Sequence, residues 1–253
     1  MKYPVKRIIA GLDVKDGKVV KSISFVNFQD AGDPVENAAL YAGEGIDEIC
    51  LLDIAATVEK RKTFTDMIRK VSKAVTVPLS VSGGIRVADD VGEALEAGAY
   101  RVGIGSAAVR NPDLVRRASR EYGEDKIIVS IDAKAISPDK YTVMIEMGRT
   151  DTGLDALLWA KTCEANGAGA ILLTAYDRDG AKNGFDIPLC RLFARELGIP
   201  VIASGGAGSM EHFLEVLRDT EVEAAFAASV FHFGLVRIPE LKAYLRENGV
   251  AVL

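Results

Sequence analysis

Short β-branched and apolar runs, each bounded by Gly, Asp or Ser, alternate along the chain with longer stretches whose apolar residues recur at helical spacing. The runs predict strands near 7–13, 48–53, 78–82, 101–105, 126–132, 169–174, 199–204 and 223–228. The intervening periodicity predicts helices over about 34–45, 63–75, 89–98, 112–122, 153–166, 187–197, 210–218 and 238–247. Asn111-Pro112 reads as an N-cap followed by a first-turn proline, and Ser209-Met210-Glu211-His212 as the start of another helix. Strands that are apolar almost throughout are buried on both faces, so these are parallel strands covered by helices. Eight such β/α units in 253 residues predict an α/β protein built as one (β/α)8 barrel of the TIM type. Three stretches fit neither pattern: 14–33, 133–152 and 176–186. Within the second, 141–145 is expected to form an extra hairpin strand, with Ser137-Pro138-Asp139-Lys140 as its turn. All three follow strands, on the face where barrel active sites are built.

The two halves of the chain, about 1–124 and 125–253, repeat each other. Arg7 to Asp13 reads against Lys126 to Asp132, and Leu51-Leu52-Asp53 against Leu172-Leu173-Thr174. Ser82-Gly83-Gly84 matches Ser204-Gly205-Gly206, and Ser106 matches Ser229. The offset drifts only from 119 to 123 residues, as loop insertions in a duplicated half-barrel would produce. Such a two-fold repeat places Asp13 and Asp132 opposite each other at one mouth, with a glycine-rich loop on either side.

A carboxylate at the end of an apolar strand, facing its counterpart, suits acid/base work on a ligand between them. Each aspartate taken alone could instead cap a loop or pair with Lys15, Lys21 or Lys134; the equivalence of the two favours catalysis. The Ser-Gly-Gly loops lie between strand and helix, where bare backbone N–H groups can approach a phosphate. A single loop would read as a tight turn. Two copies, each followed one strand later by Gly105-Ser106-Ala107-Ala108 or Ala227-Ala228-Ser229, predict two phosphate grips and therefore a bisphosphorylated small-molecule ligand. Asp53, Thr174 and Ser204, at the ends of their strands, and Gly84, Gly105, Gly206 and Ala228 in the loops join the candidate contacts. Asp179 and Gly180, in the polar run 177–184, are further contacts, and Lys21 a lid residue that neutralises ligand charge.

A formal charge of −5 with acids and bases interspersed argues against a nucleic-acid surface. No apolar run approaches membrane-spanning length and Met1–Arg7 holds no signal core, so a cytoplasmic protein without a membrane partner is expected. Cys50, Cys163 and Cys190 are far apart and read as reduced buried thiols. With His212 and His232 the only histidines, no metal site and no cofactor is expected.

Several blocks together resemble the cyclase subunit of imidazole glycerol phosphate synthase, from histidine biosynthesis. They are Lys6-Arg7-Ile8-Ile9, Leu12 to Gly17, Gly32 to Glu36, Val58 to Lys62, Ile131 to Lys134, Asp177 to Gly180, Ala203 to Gly208 and Ala228 to Phe233. The resemblance implies a lyase in which ammonia attacks a bisphosphorylated formimino-aminoimidazole-carboxamide ribotide, releasing imidazole glycerol phosphate and aminoimidazole carboxamide ribotide. It implies Asp13 and Asp132 as the acid/base pair and Lys21 as the lid lysine. Gly84 and Ser106 would hold one phosphate, and Asp179, Gly180, Gly206 and Ser229 the other. It also implies an ammonia entrance at the far end of the barrel, matched by Arg7, Glu48 and Arg101, and a glutaminase partner. There Ala170 and Tyr100 stand where the family has acidic residues, so weakened coupling to a glutaminase is expected. Ala10-Gly11, Ser82, Gly105-Ser106 and Tyr176 also depart from the family pattern. The readings set against the cyclase are a cyclase-like paralogue or engineered barrel acting on another phosphosugar, and a non-catalytic phosphate-binding scaffold.

Overall fold

A computed structural model describes residues 2–23, 26–54 and 65–253, and the side chains of 21–29 lie outside that description. Eight strands form the predicted closed barrel: β1 (Arg7–Lys15), β4 (Glu48–Asp53), β5 (Leu79–Ser82), β6 (Arg101–Ile104), β7 (Ile127–Ser137), β10 (Ala170–Ala175), β11 (Val201–Ser204) and β12 (Ala224–Ala227). Each pairs in parallel with its neighbours, from β1 through β4, β5, β6 and β7 to β10, and on through β11 and β12 back to β1. Between them run α1 (Pro34–Gly43), α2 (Thr65–Ala74), α3 (Ala88–Glu96), α4 (Ser106–Arg110), α5 (Asp113–Tyr122), α6 (Ala156–Ala165), α7 (Ile187–Glu196), α8 (Met210–Asp219), α9 (Ser229–His232) and α10 (Ile238–Glu247).

The strands are apolar on both faces because they serve two cores. Ile8, Ala10, Leu12 and Val14 of β1 pack with the helices in one large cluster, whereas Ile9 joins Cys50, Ile128, Ala170, Leu172, Ile202, Ala224 and Phe226 in a second cluster that fills the barrel. Side chains alternate across a strand, so Gly11 and Asp13 share Ile9's inward face, and Ser130 and Asp132 share that of Ile128. The registers Asp13↔Leu52 and Asp132↔Thr174 set both aspartates at strand ends on the same mouth.

Helix starts follow elementary capping. Asp33 accepts from the N–H groups of Val35 (2.8 Å) and Glu36 (3.1 Å), with Pro34 in the first turn; Asp155 and Asp186 cap α6 and α7 likewise. The expected cap at Asn111 is not formed: Pro112 occupies the N-cap of α5 without a side-chain bond, and Asn111 closes the short α4 before it. Residues 106–110 already turn as a helix, so Asn111 serves as the C-cap of that helix and the N-cap position of the next one falls to Pro112. Ser209 does stand at the N-cap of α8, but its side chain makes no cap hydrogen bond.

Two of the stretches expected to be irregular are largely sheet. In 14–33, β2 (Lys18–Ile23) folds back on β1 and β3 (Val26–Gly32) on β2, both antiparallel. Asp16 and Gly17 make the turn with φ of 51° and 79°, the left-handed pair that a tight hairpin requires. In 133–152, β7 runs on to Ser137, the expected turn leads to β8 (Lys140–Ile145), and a further strand, β9 (Thr150–Asp155), pairs with it. β9 takes up the start of the predicted helix 153–166, which begins only at Ala156. The block Val58 to Lys62 lies outside the described residues. Among the described residues no helix is long and apolar enough to cross a membrane.

Candidate active site

A cavity of about 210 Å³ opens at the strand C-termini. Every described candidate from this mouth lines it: Asp13, Asp53, Gly84, Gly105, Ser106, Asp132, Thr174, Asp179, Gly180, Ser204, Gly206, Ala228 and Ser229. The side chain of Lys21 lies outside the described residues; its backbone belongs to β2, against the expectation of an irregular segment.

The two halves build the mouth alike. Gly83 and Gly84 have φ of 99° and 74°, and Gly205 and Gly206 of 89° and 99°, a region in which a side chain is strained. Close backbone approach reinforces the requirement. A Cβ on Gly83 would overlap the carbonyl of Asp53 at the end of β4, and one on Gly205 would come within 2.8 Å of the carbonyl of Ala175 at the end of β10. Behind each loop the following helix supplies an acceptor. Asp90 of α3 takes the N–H groups of Arg86 (2.8 Å) and Val87 (3.0 Å), and His212 of α8 takes that of Gly208 (3.1 Å) at Nδ1. Asp90 and His212 stand at the same distance from their glycine pairs, seven residues after Gly83 and Gly205. Two residue types do the same work in the two halves.

Electrostatics single out Asp132. Burial raises its carboxyl to about 7, the Asp179 carboxylate adds to the rise, and a hydrogen bond from Thr174 opposes it. A carboxyl that titrates near neutrality can both give and take a proton in the cell's pH range. The cysteines are the opposite case: burial pushes Cys50 and Cys190 above the ordinary thiol value and Cys163 up to about 12, so all three stay thiols.

The cavity also has walls that the sequence pattern did not point to. Met147 reaches it from the turn between β8 and β9, where Glu146, Met147 and Gly148 all have left-handed φ of 57°, 59° and 73°. That turn is tied down on three sides. The Glu146 N–H donates to Ser106 Oγ (3.0 Å), the Glu146 carboxylate pairs with Arg110, and the Tyr176 ring fills the space where a Cβ of Gly148 would be. Phe226 forms part of the floor, its ring seated in the notch left by Gly11. Ser130 lines the cavity one inward position below Asp132; the period-two alternation of β7 carried that signal, whereas nothing in the local sequence marked Met147.

At the opposite end of the barrel, two of the three residues expected at an ammonia entrance, Arg7 and Glu48, come together with one addition, Glu223. Arg7 pairs with the buried Glu48 and also grips Glu223 through Nε (2.6 Å) and Nη2 (2.7 Å). Ser80 donates to the other oxygen of Glu48. Arg7 is therefore not short of compensation. Arg101 is, since its Nε and Nη1 are buried with no hydrogen-bond partner among the described residues and its guanidinium rests over the Tyr100 ring at 5.3 Å.

A cavity flanked by two glycine loops and two strand-end aspartates can be compared with known proteins. The family model described as "Histidine biosynthesis protein" matches residues 7–237. The chain belongs to the histidine biosynthesis protein family. It is 53% identical over 247 residues to the imidazole glycerol phosphate synthase subunit HisF of Hydrogenobaculum sp. (strain Y04AAS1), covering 98% of each chain. At 49% identity and the same coverage it matches the proteins of that name from Bacillus cereus (strain Q1) and Metallosphaera sedula. Each of these relatives of the histidine biosynthesis family is named as a subunit of a synthase.

Proposed function

We propose that the barrel carries out the cyclase step of histidine biosynthesis, a lyase reaction in which ammonia attacks a bisphosphorylated formimino-aminoimidazole-carboxamide ribotide. Imidazole glycerol phosphate and aminoimidazole carboxamide ribotide leave. The observation that carries this reading is the meeting of Asp13 and Asp132 in one cavity between two glycine loops, in a chain about half identical over its length to synthase subunits. Ring closure requires protons to move between nitrogen, carbon and oxygen near neutral pH, and Asp132, at about 7, is placed to exchange them while Asp13 serves the opposite side. Gly84 and Ser106 take one phosphate. Gly180, Gly206 and Ser229 take the other. The Asp179 carboxylate would repel a phosphate dianion, so its side chain tunes Asp132 and its share in the grip falls to its backbone. Lys21 closes over the ligand. Ammonia arrives from the other end, past Arg7, Glu48 and Arg101, and a glutaminase subunit supplies it.

Turnover of the ribotide with an ammonium salt, in the absence of any partner protein, tests the reading. Formation of imidazole glycerol phosphate in equal amount to aminoimidazole carboxamide ribotide is expected. Ribotide left unchanged at saturating ammonium would remove the cyclase reading.

A further inference from the structure

Ser130 Oγ is a buried hydroxyl without a hydrogen-bond partner among the described residues, and its residue lines the cavity. Other serine hydroxyls around the barrel are engaged: Ser80 with Glu48, Ser82 with the Gly103 carbonyl (3.3 Å), and Ser106 with the Glu146 N–H (3.0 Å). An unmet buried hydroxyl destabilises the fold, where an alanine would cost nothing of the kind. Its place makes that cost informative. On the inward face of β7 it stands between Ile128, which belongs to the apolar fill of the barrel, and Asp132 at the mouth. Beside it the wall is open among the described residues: a Cβ on Gly105 would find only Ser130 Cβ, at 3.9 Å, within 4 Å. A ligand lying under Asp132 and against Gly105 therefore passes over a hydroxyl that no described residue satisfies.

We infer that Ser130 is a substrate-binding residue whose hydroxyl bonds a polar group of the ribotide's central portion, below the level of the two phosphate grips. The inference rests on the cyclase reading. It names a contact inside the Asp132 side of the cavity, deeper than the loops at either rim.

Removing the hydroxyl should then have opposite effects on the empty protein and on turnover. Ser130→Ala is expected to raise the melting temperature of the ligand-free protein by about 2–4 °C. It should also raise the KM for the ribotide about five- to tenfold, with kcat and the KM for ammonium little changed. A purely structural serine would not split the parameters in that way. Gly105 has a negative φ of −104° and open space on its side-chain face, so Ser130→Ala combined with Gly105→Asn offers the ligand a replacement polar group and should recover part of the lost affinity. An unchanged ribotide KM in Ser130→Ala, with wild-type turnover intact, overturns the inference and leaves the cyclase reading standing. A rise in the ammonium KM alone assigns the hydroxyl to the other substrate and overturns it too. Absence of wild-type turnover removes both.

Discussion

Asp132 is held at odds with its surroundings, and two measurable consequences follow from the sign of that conflict. Its carboxyl keeps its proton up to about 7 in the folded protein, against an ordinary value of 3.8. As pH rises from about 4 to about 7 the unfolded chain gives up this proton while the folded chain retains it, so the group favours unfolding progressively; the penalty is absent below that window and complete above it. Asp132→Asn removes the penalty. The variant should therefore match wild type in chemical denaturation near pH 4 and be more stable near pH 8, by something on the order of 4 kcal/mol, while its turnover falls about 10²–10⁴-fold. Equal stability at pH 8 would mean that the site does not hold the carboxyl neutral. The pH–rate profile gives the second check. Burial is the first cause of the raised value and the Asp179 carboxylate the next, so Asp179→Asn should move the limb near pH 7 toward lower pH without abolishing activity. A limb that stays in place would show that Asp179 does not act on Asp132.

The eight barrel strands were legible in the sequence because burial on both faces leaves an unbroken apolar run, and the helices because their apolar stripe has to face that barrel. What escaped were elements with only one face to bury. β9, Thr150–Asp155, is mostly exposed and carries Thr, Asp and Gly, so alternation gave no signal, although β8 beside it was expected. β2 and β3 were marked only by Asp16-Gly17, a turn whose two left-handed residues were the available clue. In the same way the glycine loops could be read as loops, but not the groups that hold them, since Asp90 and His212 share a task without sharing chemistry. That substitution of one acceptor for another is testable. His212→Asn keeps an acceptor near the position of Nδ1 and should preserve the second loop, whereas His212→Leu leaves the Gly208 N–H without its partner and should raise the KM for the ribotide about tenfold. Loss of activity in both variants, or in neither, would deny His212 this role. Gly206→Ala is the severe control: it forces a strained φ of 99° and drives a Cβ into the Gly184 carbonyl. Thermal denaturation should show it destabilised by about 1–3 kcal/mol.

At the scale of the whole barrel, chemistry sits at one mouth and charge at the other, with the apolar fill of Ile9, Cys50, Ile128 and Phe226 between them. Arg7 is satisfied from two sides by Glu48 and Glu223, which tie β1 to β4 and to the start of β12. Arg7 is compensated because Glu223, which was not visible as its neighbour in sequence, adds a second carboxylate. The imbalance falls entirely on Arg101, and it is accompanied by a change at the surface. Tyr100 is 41% exposed, with the Arg101 guanidinium 5.3 Å and the Lys126 ammonium 4.4 Å from its ring centre. Two cations lie against the Tyr100 ring, and the exposed Asp125 carboxylate beside them is already paired with Lys126 at 3.3 Å; charge complementarity governs partner choice and encounter more than stability. A glutaminase docking on this face, as the resemblance implies, would find a cationic and apolar patch where the family offers a carboxylate. Weak activation of a standard glutaminase subunit is expected, with free ammonia still used. Tyr100→Asp should set a carboxylate between Arg101 and Lys126 and strengthen the activation while leaving ammonia-dependent turnover close to wild type. Titrating either protein into the glutaminase and following glutamate release decides the point: strong stoichiometric activation by the wild-type barrel would show that the Tyr100–Arg101 surface couples as it stands.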